Sequence, residues 1–232
     1  GGLALAVLSR SPGSRGLLVD LDTRRHKVEK RRPEGDEGVL RLRMDIADFD
    51  LAQVFAKLPP ADAPGDLQCL SNCQRSVGRL RGLWLRASQL QQDPWPPARV
   101  LVCAKHLCGA GTDVALRSLR DLGPDIRKRL AICCATCCHH RCEAASYVNA
   151  PFLRDVGIPA DPAGFAAFAA RAGGAAGGCD GRLRRLGLMA KRILDLGRLA
   201  WIREELGLEV SLEAYVGKCV TPENVALIAI PR

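Results

Sequence analysis

A chain of 232 residues that is 47% hydrophobic can bury one sizeable core. With 34 Lys+Arg against 25 Asp+Glu, its net charge of +9 favours phosphate-rich partners without specifying a fold or a chemistry. No apolar run reaches the roughly 18 residues that span a bilayer, and the apolar start over residues 1–8 lacks a basic leader and a cleavage signature, so neither a membrane partner nor a signal peptide is expected.

The first segment, 1–10, reads as a helix already under way, with Leu3, Ala6 and Val7 at helical spacing and Ser11-Pro12-Gly13 as its stop. A buried strand follows over 16–22, ending in Asp20 and Asp22, where a carboxylate could accept hydrogen bonds from a ribose diol. The alternating run over 39–46 gives another strand closing on Asp45, an acid placed to accept from an adenine amino group. Residues 59–97, bracketed by Pro59-Pro60 and Pro94-Trp95-Pro96-Pro97, read as an insertion or irregular segment.

Two short apolar stretches, 99–104 and 129–134, then read as buried strands whose carboxyl ends carry the densest chemistry in the chain. The first ends in Lys105-His106-Leu107-Cys108-Gly109, after which Thr112 is expected to cap a helix that turns Ala115, Leu119 and Leu122 to the sheet. The second leads into Cys137-Cys138-His139-His140-Arg141-Cys142. Open α/β sheets place their ligands at such strand ends. Consecutive strand residues point to opposite faces, so one of His139 and His140 is expected to face a crevice and the other to be buried and hydrogen-bonded. His106 carries the same ambiguity against Lys105.

The eleven cysteines, an odd count flanked by apolar residues, fit free thiols in a reducing intracellular setting, nucleus or cytoplasm. A zinc site built from Cys134, Cys137, His139, His140 and Cys142 is the alternative; its candidates crowd one strand end, and no metal ligand is assigned. Further on, residues 171–182 are expected to be a flexible, Gly/Ala-rich loop. Residues 189–206 form an amphipathic helix through Ile193, Leu196, Ala200 and Leu206, with Lys191, Arg192 and Arg198 on the wetter side. Strands over 213–220 and 224–230 close the chain as a tight hairpin and an antiparallel edge. The whole is read as a single α/β domain over 1–232, a mostly parallel Rossmann-like sheet ending in an antiparallel hairpin, the arrangement of class I AdoMet-dependent methyltransferases.

Specific motifs narrow this further: Lys105 to Gly109 followed by Thr112-Asp113-Val114, Cys137 to Cys142 with Tyr147-Val148, Lys191-Arg192-Ile193-Leu194-Asp195 with Gly197-Arg198, and Thr221-Pro222-Glu223-Asn224-Val225. Together they resemble the tRNA ribose 2'-O-methyltransferases that modify the fourth nucleotide of the acceptor stem. The resemblance implies AdoMet as methyl donor and the tRNA acceptor stem as partner. It implies Asp20, Asp45 and Gly1 as cofactor contacts, with Gly1 the tail of a glycine-rich loop. It further implies Lys105, His106, His139, His140 and Arg141 as the catalytic set. The family's first strand and loop would precede Gly1, so the chain is expected to be a fragment, inactive until that strand is restored. The family's upstream zinc modules are absent, and Ala144-Ala145 replaces an expected aromatic. Two other classes stay open: a non-catalytic RNA-binding or assembly module that keeps the fold, and a methyltransferase acting on protein or a small molecule.

Overall fold

The computed structural model describes Val7 and residues 16–19, 39–42, 45–52, 100–175, 181–217, 219–221 and 223–232. Gly1, Asp20, Asp22, the segment 59–97 and, apart from the helical Val7, the expected first helix lie outside the described residues. The chain gathers into two compact units, Gly1–Ala98 and Arg99–Arg232.

In the first unit, β1 (Gly16–Val19) and β2 (Val39–Leu42) pair in parallel, from Gly16 opposite Val39 to Val19 opposite Leu42. A short 3-10 turn, Ile46–Asp48, follows, and Asp45 caps it by accepting a hydrogen bond from the Ala47 N–H at 2.9 Å.

The second unit is a mixed α/β structure built on a four-stranded sheet of order β3-β4-β6-β5. Its strands are β3 (Val100–Ala104), β4 (Leu130–Ala135), β5 (Glu209–Ala214) and β6 (Val225–Ile230). Here β3 and β4 run parallel, and β6 pairs antiparallel with both β4 and β5. The hairpin therefore forms the antiparallel edge of the sheet that the sequence suggested, with β6 on its inner side, between β4 and β5, and β5 outermost. The reason is visible in composition. Val225-Ala226-Leu227-Ile228-Ala229-Ile230 is apolar on both faces, with Leu227 and Ala229 fully buried, whereas Glu209 and Glu213 make β5 fit for an edge.

The first hairpin strand begins and ends earlier than expected, so its connection is longer than a tight turn. Hydrogen bonds hold that connection: Tyr215 N–H to Asn224 O, Tyr215 OH to Glu223 O, and Asn224 Nδ2 to Val216 O. In β4 the burial alternates, with Leu130, Ile132 and Cys134 inward. Cys133 is exposed, so it does not serve as the buried apolar filler the sequence suggested.

Between the strands lie α1 (Ala110–Arg117), α2 (Pro124–Arg127), α3 (Ala150–Asp155), α4 (Pro162–Arg171) and α5 (Gly181–Trp201). Caps mark the starts of two of them: the Asn149 side chain accepts from Phe152 N–H, and Asp161 accepts from Gly164 N–H. Thr112 is not the cap of α1; that position is Gly109, and Thr112 lies inside the helix, donating from its hydroxyl to Leu107 O at 2.7 Å. The described part of 171–182 is helical rather than a flexible loop, since Ala172–Ala175 forms a 3-10 turn with Ala172 buried and Gly181 opens α5. The core packs Cys142, Tyr147, Leu153, Phe165, Ala169 and Leu194 together, with the Tyr147 and Phe165 ring centroids 5.6 Å apart.

The long helix turns out rotated from its expected orientation. Leu196 and Met189 are exposed, while Ala190, Lys191, Leu194, Asp195, Gly197, Arg198 and Trp201 form the buried face. Hydrophobicity alone mispoints this helix because its inward face is made of charges that find partners and of a glycine that admits a ring. A side chain at Gly197 would run into the Tyr147 hydroxyl. Among the described residues, no helix is long and apolar enough to cross a membrane.

Candidate active site

Parallel pairing sets the geometry. Ala104 lies opposite Cys134, so the loops that leave β3 and β4 emerge side by side at one end of the sheet. Gly109 has a left-handed φ of 54°, and a side chain there would collide with the Arg141 carbonyl, so the two loops meet backbone to backbone. Cys138, also left-handed at φ 47°, turns the chain into the 3-10 turn His139–Arg141.

That turn separates the two histidines. His139 is 1% exposed and His140 is exposed, with its Cβ beside Gly173. One buried and one exposed histidine is the expected outcome, but its cause is a 3-10 turn beyond β4 and not the alternation of a strand.

His139 Nε2 lies 2.7 Å from Asp195 Oδ1, and its Nδ1 is buried with no hydrogen-bond partner. An ionised carboxylate has no proton to give, so Nε2 is the donor in this pair. Asp195 also accepts from the Thr136 hydroxyl at 3.2 Å, from Arg192 at 3.4 Å and from Arg198 at 3.3 Å. Fully buried Arg198 in turn forks onto Asp113 at 2.6 and 3.1 Å and reaches Gly109 O and Cys142 Sγ. Burial acts to raise the Asp195 carboxyl, but the hydrogen bond and charge of His139, with Arg198 and Arg192, outweigh it and hold the group below its ordinary value. Burial likewise works against the Arg198 charge, and Asp113 overrides it. The same burial pushes the Cys142 thiol up to about 11 and the Cys134 thiol up to about 12. This network ties α1, the loop after β4 and α5 together beneath the exposed groups. Lys191, also read as wet, is buried and pairs with Glu223.

A second cluster spans the two loops. Cys108 Sγ lies 4.0 Å from Cys137 Sγ and 3.4 Å from His106 Nε2, and Cys137 Sγ lies 3.4 Å from His106 Nδ1. Burial raises both thiols, and the neighbouring sulfurs add to the effect at Cys137. The zinc set considered from sequence does not assemble: among the described residues only His106, Cys108 and Cys137 converge in this way. Cys142 instead accepts from Arg198, and His139 faces Asp195.

Of the catalytic candidates, Lys105, His106, His140 and Arg141 are exposed on these loops, and His139 is in the core. Asp45 is exposed in the first unit. Reading from sequence missed Asp113, Asp195 and Arg198 as a buried unit. The spacing of Asp195 and Arg198 on one helix was a usable signal, but Asp113 lies far away in the chain. It likewise missed that Cys108 meets Cys137.

The family described as Methyltransferase TRM13 matches the chain over residues 72–172 and 181–230. Several fungal proteins named tRNA:m(4)X modification enzyme TRM13 are similar. The Vanderwaltozyma polyspora protein is 32% identical over 166 residues, covering 60% of this chain and 37% of its own length. The Schizosaccharomyces pombe protein is 34% identical over 152 residues, covering 57% and 40%. That of Saccharomyces cerevisiae is 26% identical over 185 residues, covering 62% and 39%. The chain thus matches less than half the length of these curated relatives. No solved structure gives a significant match.

Proposed function

Because the chain belongs to the TRM13 methyltransferase family, we propose that it serves AdoMet-dependent methylation of the ribose 2'-hydroxyl of nucleotide 4 in the tRNA acceptor stem, on a class I methyltransferase fold. The observation that carries this reading is that Lys105, His106, His140 and Arg141 are exposed on the two loops that leave parallel β3 and β4 side by side.

The acids of the first unit suit the cofactor's nucleoside. β1 and β2 are parallel, so their carboxyl ends share one edge, and Asp20 and Asp45 follow those ends in the chain. Exposed Asp45 already acts as a hydrogen-bond acceptor there. A ribose diol and an adenine amino group ask for such acceptors. In this reading Asp20 holds the ribose, Asp45 holds the adenine, and Gly1 belongs to the loop around the methionine end.

When bound, AdoMet supplies an electrophilic methyl carbon. The chain's own residues then position and deprotonate the acceptor. A ribose hydroxyl is a weak acid, so it needs a base within hydrogen-bond reach, and the exposed imidazole of His140 takes that proton at a ring nitrogen. Lys105 and Arg141 offer positive charge to the developing alkoxide or the adjacent phosphate. Buried His139 holds the turn that presents His140.

Incubating the full-length protein that contains this chain with tRNA and methyl-labelled AdoMet, followed by alkaline hydrolysis, tests the acceptor. A 2'-O-methyl group blocks cleavage of the next phosphodiester, so label is expected in an alkali-resistant dinucleotide containing nucleotide 4. Label confined to a mononucleotide would refute the ribose assignment. His140→Ala is expected to lower turnover by ~100-fold or more, as for loss of a proton acceptor, with an unchanged melting temperature, whereas His139→Ala lowers the melting temperature. Full turnover in the His140 variant would remove it as the base.

A further inference from the structure

We propose that His106, Cys108 and Cys137 form a zinc site that fastens the loop after β3 to the loop after β4. Neither the family nor the relatives' names assign it, and it stands whether or not the chain transfers methyl groups.

The donor geometry carries the inference. Measured from one nitrogen, His106 Nδ1, the three ligand atoms form a triangle: 3.8 Å to Cys108 Sγ, 3.4 Å to Cys137 Sγ, and 4.0 Å between the sulfurs. With Zn–S near 2.3 Å and Zn–N near 2.0–2.1 Å, a regular tetrahedron puts sulfurs about 3.8 Å apart and sulfur and nitrogen about 3.5 Å apart. These edges lie within about 0.3 Å of a zinc tetrahedron's face; because Cys108 Sγ also lies 3.4 Å from Nε2, beside the ring, binding through Nδ1 requires the exposed His106 imidazole to turn its lone pair toward the two sulfurs. Two thiolates and an imidazole are also the donor set that this borderline-soft cation prefers.

The scaffold is rigid where it needs to be. Gly109 and the Arg141 carbonyl are in backbone contact, Thr112 Oγ1 donates to Leu107 O, and Arg198 reaches Gly109 O from the core, so the loops are held together independently of the cluster. The three ligands come from loops 29 residues apart in sequence, with Cys108 and Cys137 the long-range pair. Binding replaces the two thiol protons, which go to solvent, and leaves a neutral ZnS2N unit. The fourth position falls to water reaching exposed His106, or to Cys138, which follows Cys137 directly in the chain. Zinc on His106 withdraws this residue from proton transfer, leaving His140 as the exposed histidine for that role.

Elemental analysis of the purified protein in chelator-free buffer is expected to give one zinc per chain. H106A, C108S and C137S are each expected to lose it, while C133S, altering an exposed thiol on β4, keeps it. Since a ligand variant can fail to fold, cobalt titration of the unaltered protein supplies a second measurement: intense tetrahedral d–d bands with a thiolate-to-cobalt charge-transfer band. C138S weakens that charge-transfer band if Cys138 is the fourth ligand and leaves it unchanged if water is. A weak octahedral cobalt spectrum, zinc retained in a C108S/C137S double variant, or a Cys108–Cys137 disulfide in protein prepared under argon would each overturn the site. Methyl transfer, assayed on the same samples, bears only on the enzymatic reading.

Discussion

His139 and Arg198 show how far a residue's neighbours change its meaning. In the sequence one is half of a histidine pair and the other a basic residue on an amphipathic helix; in the fold they share Asp195 in a core where each is at most 1% exposed. A buried ion pair is costly to break because the survivor keeps its charge without its partner, typically about 3–5 kcal/mol. Asp195→Asn preserves an acceptor oxygen for His139 but removes the charge facing Arg198, so a loss near the lower end, about 3 kcal/mol, is expected in urea unfolding at pH 7. The sign of the pH effect follows from the depressed carboxyl. Such a group stabilises the fold above its unfolded value, about 3.9, and that share is lost as pH falls through the lower folded value. The stability gap between the unaltered protein and the Asn variant should therefore be full above about pH 4 and narrow below it. A gap that stays constant into acid would show that Asp195 is not held ionised.

At the scale of elements, the loops after β3 and β4 depend on Gly109. Its φ of 54° is unfavourable for a side chain, and a Cβ would meet the Arg141 carbonyl, which is backbone and cannot swing aside. Gly109→Ala is expected to destabilise the second unit by a few kcal/mol, roughly the 1–3 kcal/mol of backbone strain plus displacement of the Arg141 loop. It should also impair activity more than its melting temperature alone explains, because His140 and Arg141 ride on the displaced turn. Comparing turnover and melting temperature with those of Gly123→Ala, where a Cβ meets nothing within 4 Å, checks this. Equal, small effects at both glycines would mean that the loops are not registered through this contact. The same close-approach logic orients α5, where Gly197 lets Tyr147 donate to Leu194 O and Asn149 Nδ2 donate to Gly197 O.

For the whole molecule, the net charge of +9 bears on the proposed RNA substrate. Each phosphate neutralised releases condensed counterions, so log affinity for tRNA should fall linearly with log salt, by about 0.7–0.9 per contact. Filter binding across a KCl series measures the slope; a flat line would leave the basic balance without a role in RNA binding. Much of the second unit was legible from sequence alone, because β3 and β4 are short apolar runs with polar punctuation, and the Lys105–Gly109 and Cys137–Cys142 motifs follow them directly. Local chemistry sufficed for that, as it did for the existence of a closing hairpin and for the family resemblance, which the match over 72–172 and 181–230 bears out. Only the tertiary structure decided which histidine is buried, which face of α5 turns inward, where β6 inserts, and that Cys108 meets Cys137. For the buried histidine and the inward face of α5 the physical reason is the same. A charged or polar side chain is buried when distant partners satisfy it, as Asp113 does for Arg198 across 85 residues, and no local pattern of hydrophobicity encodes a partner that far away.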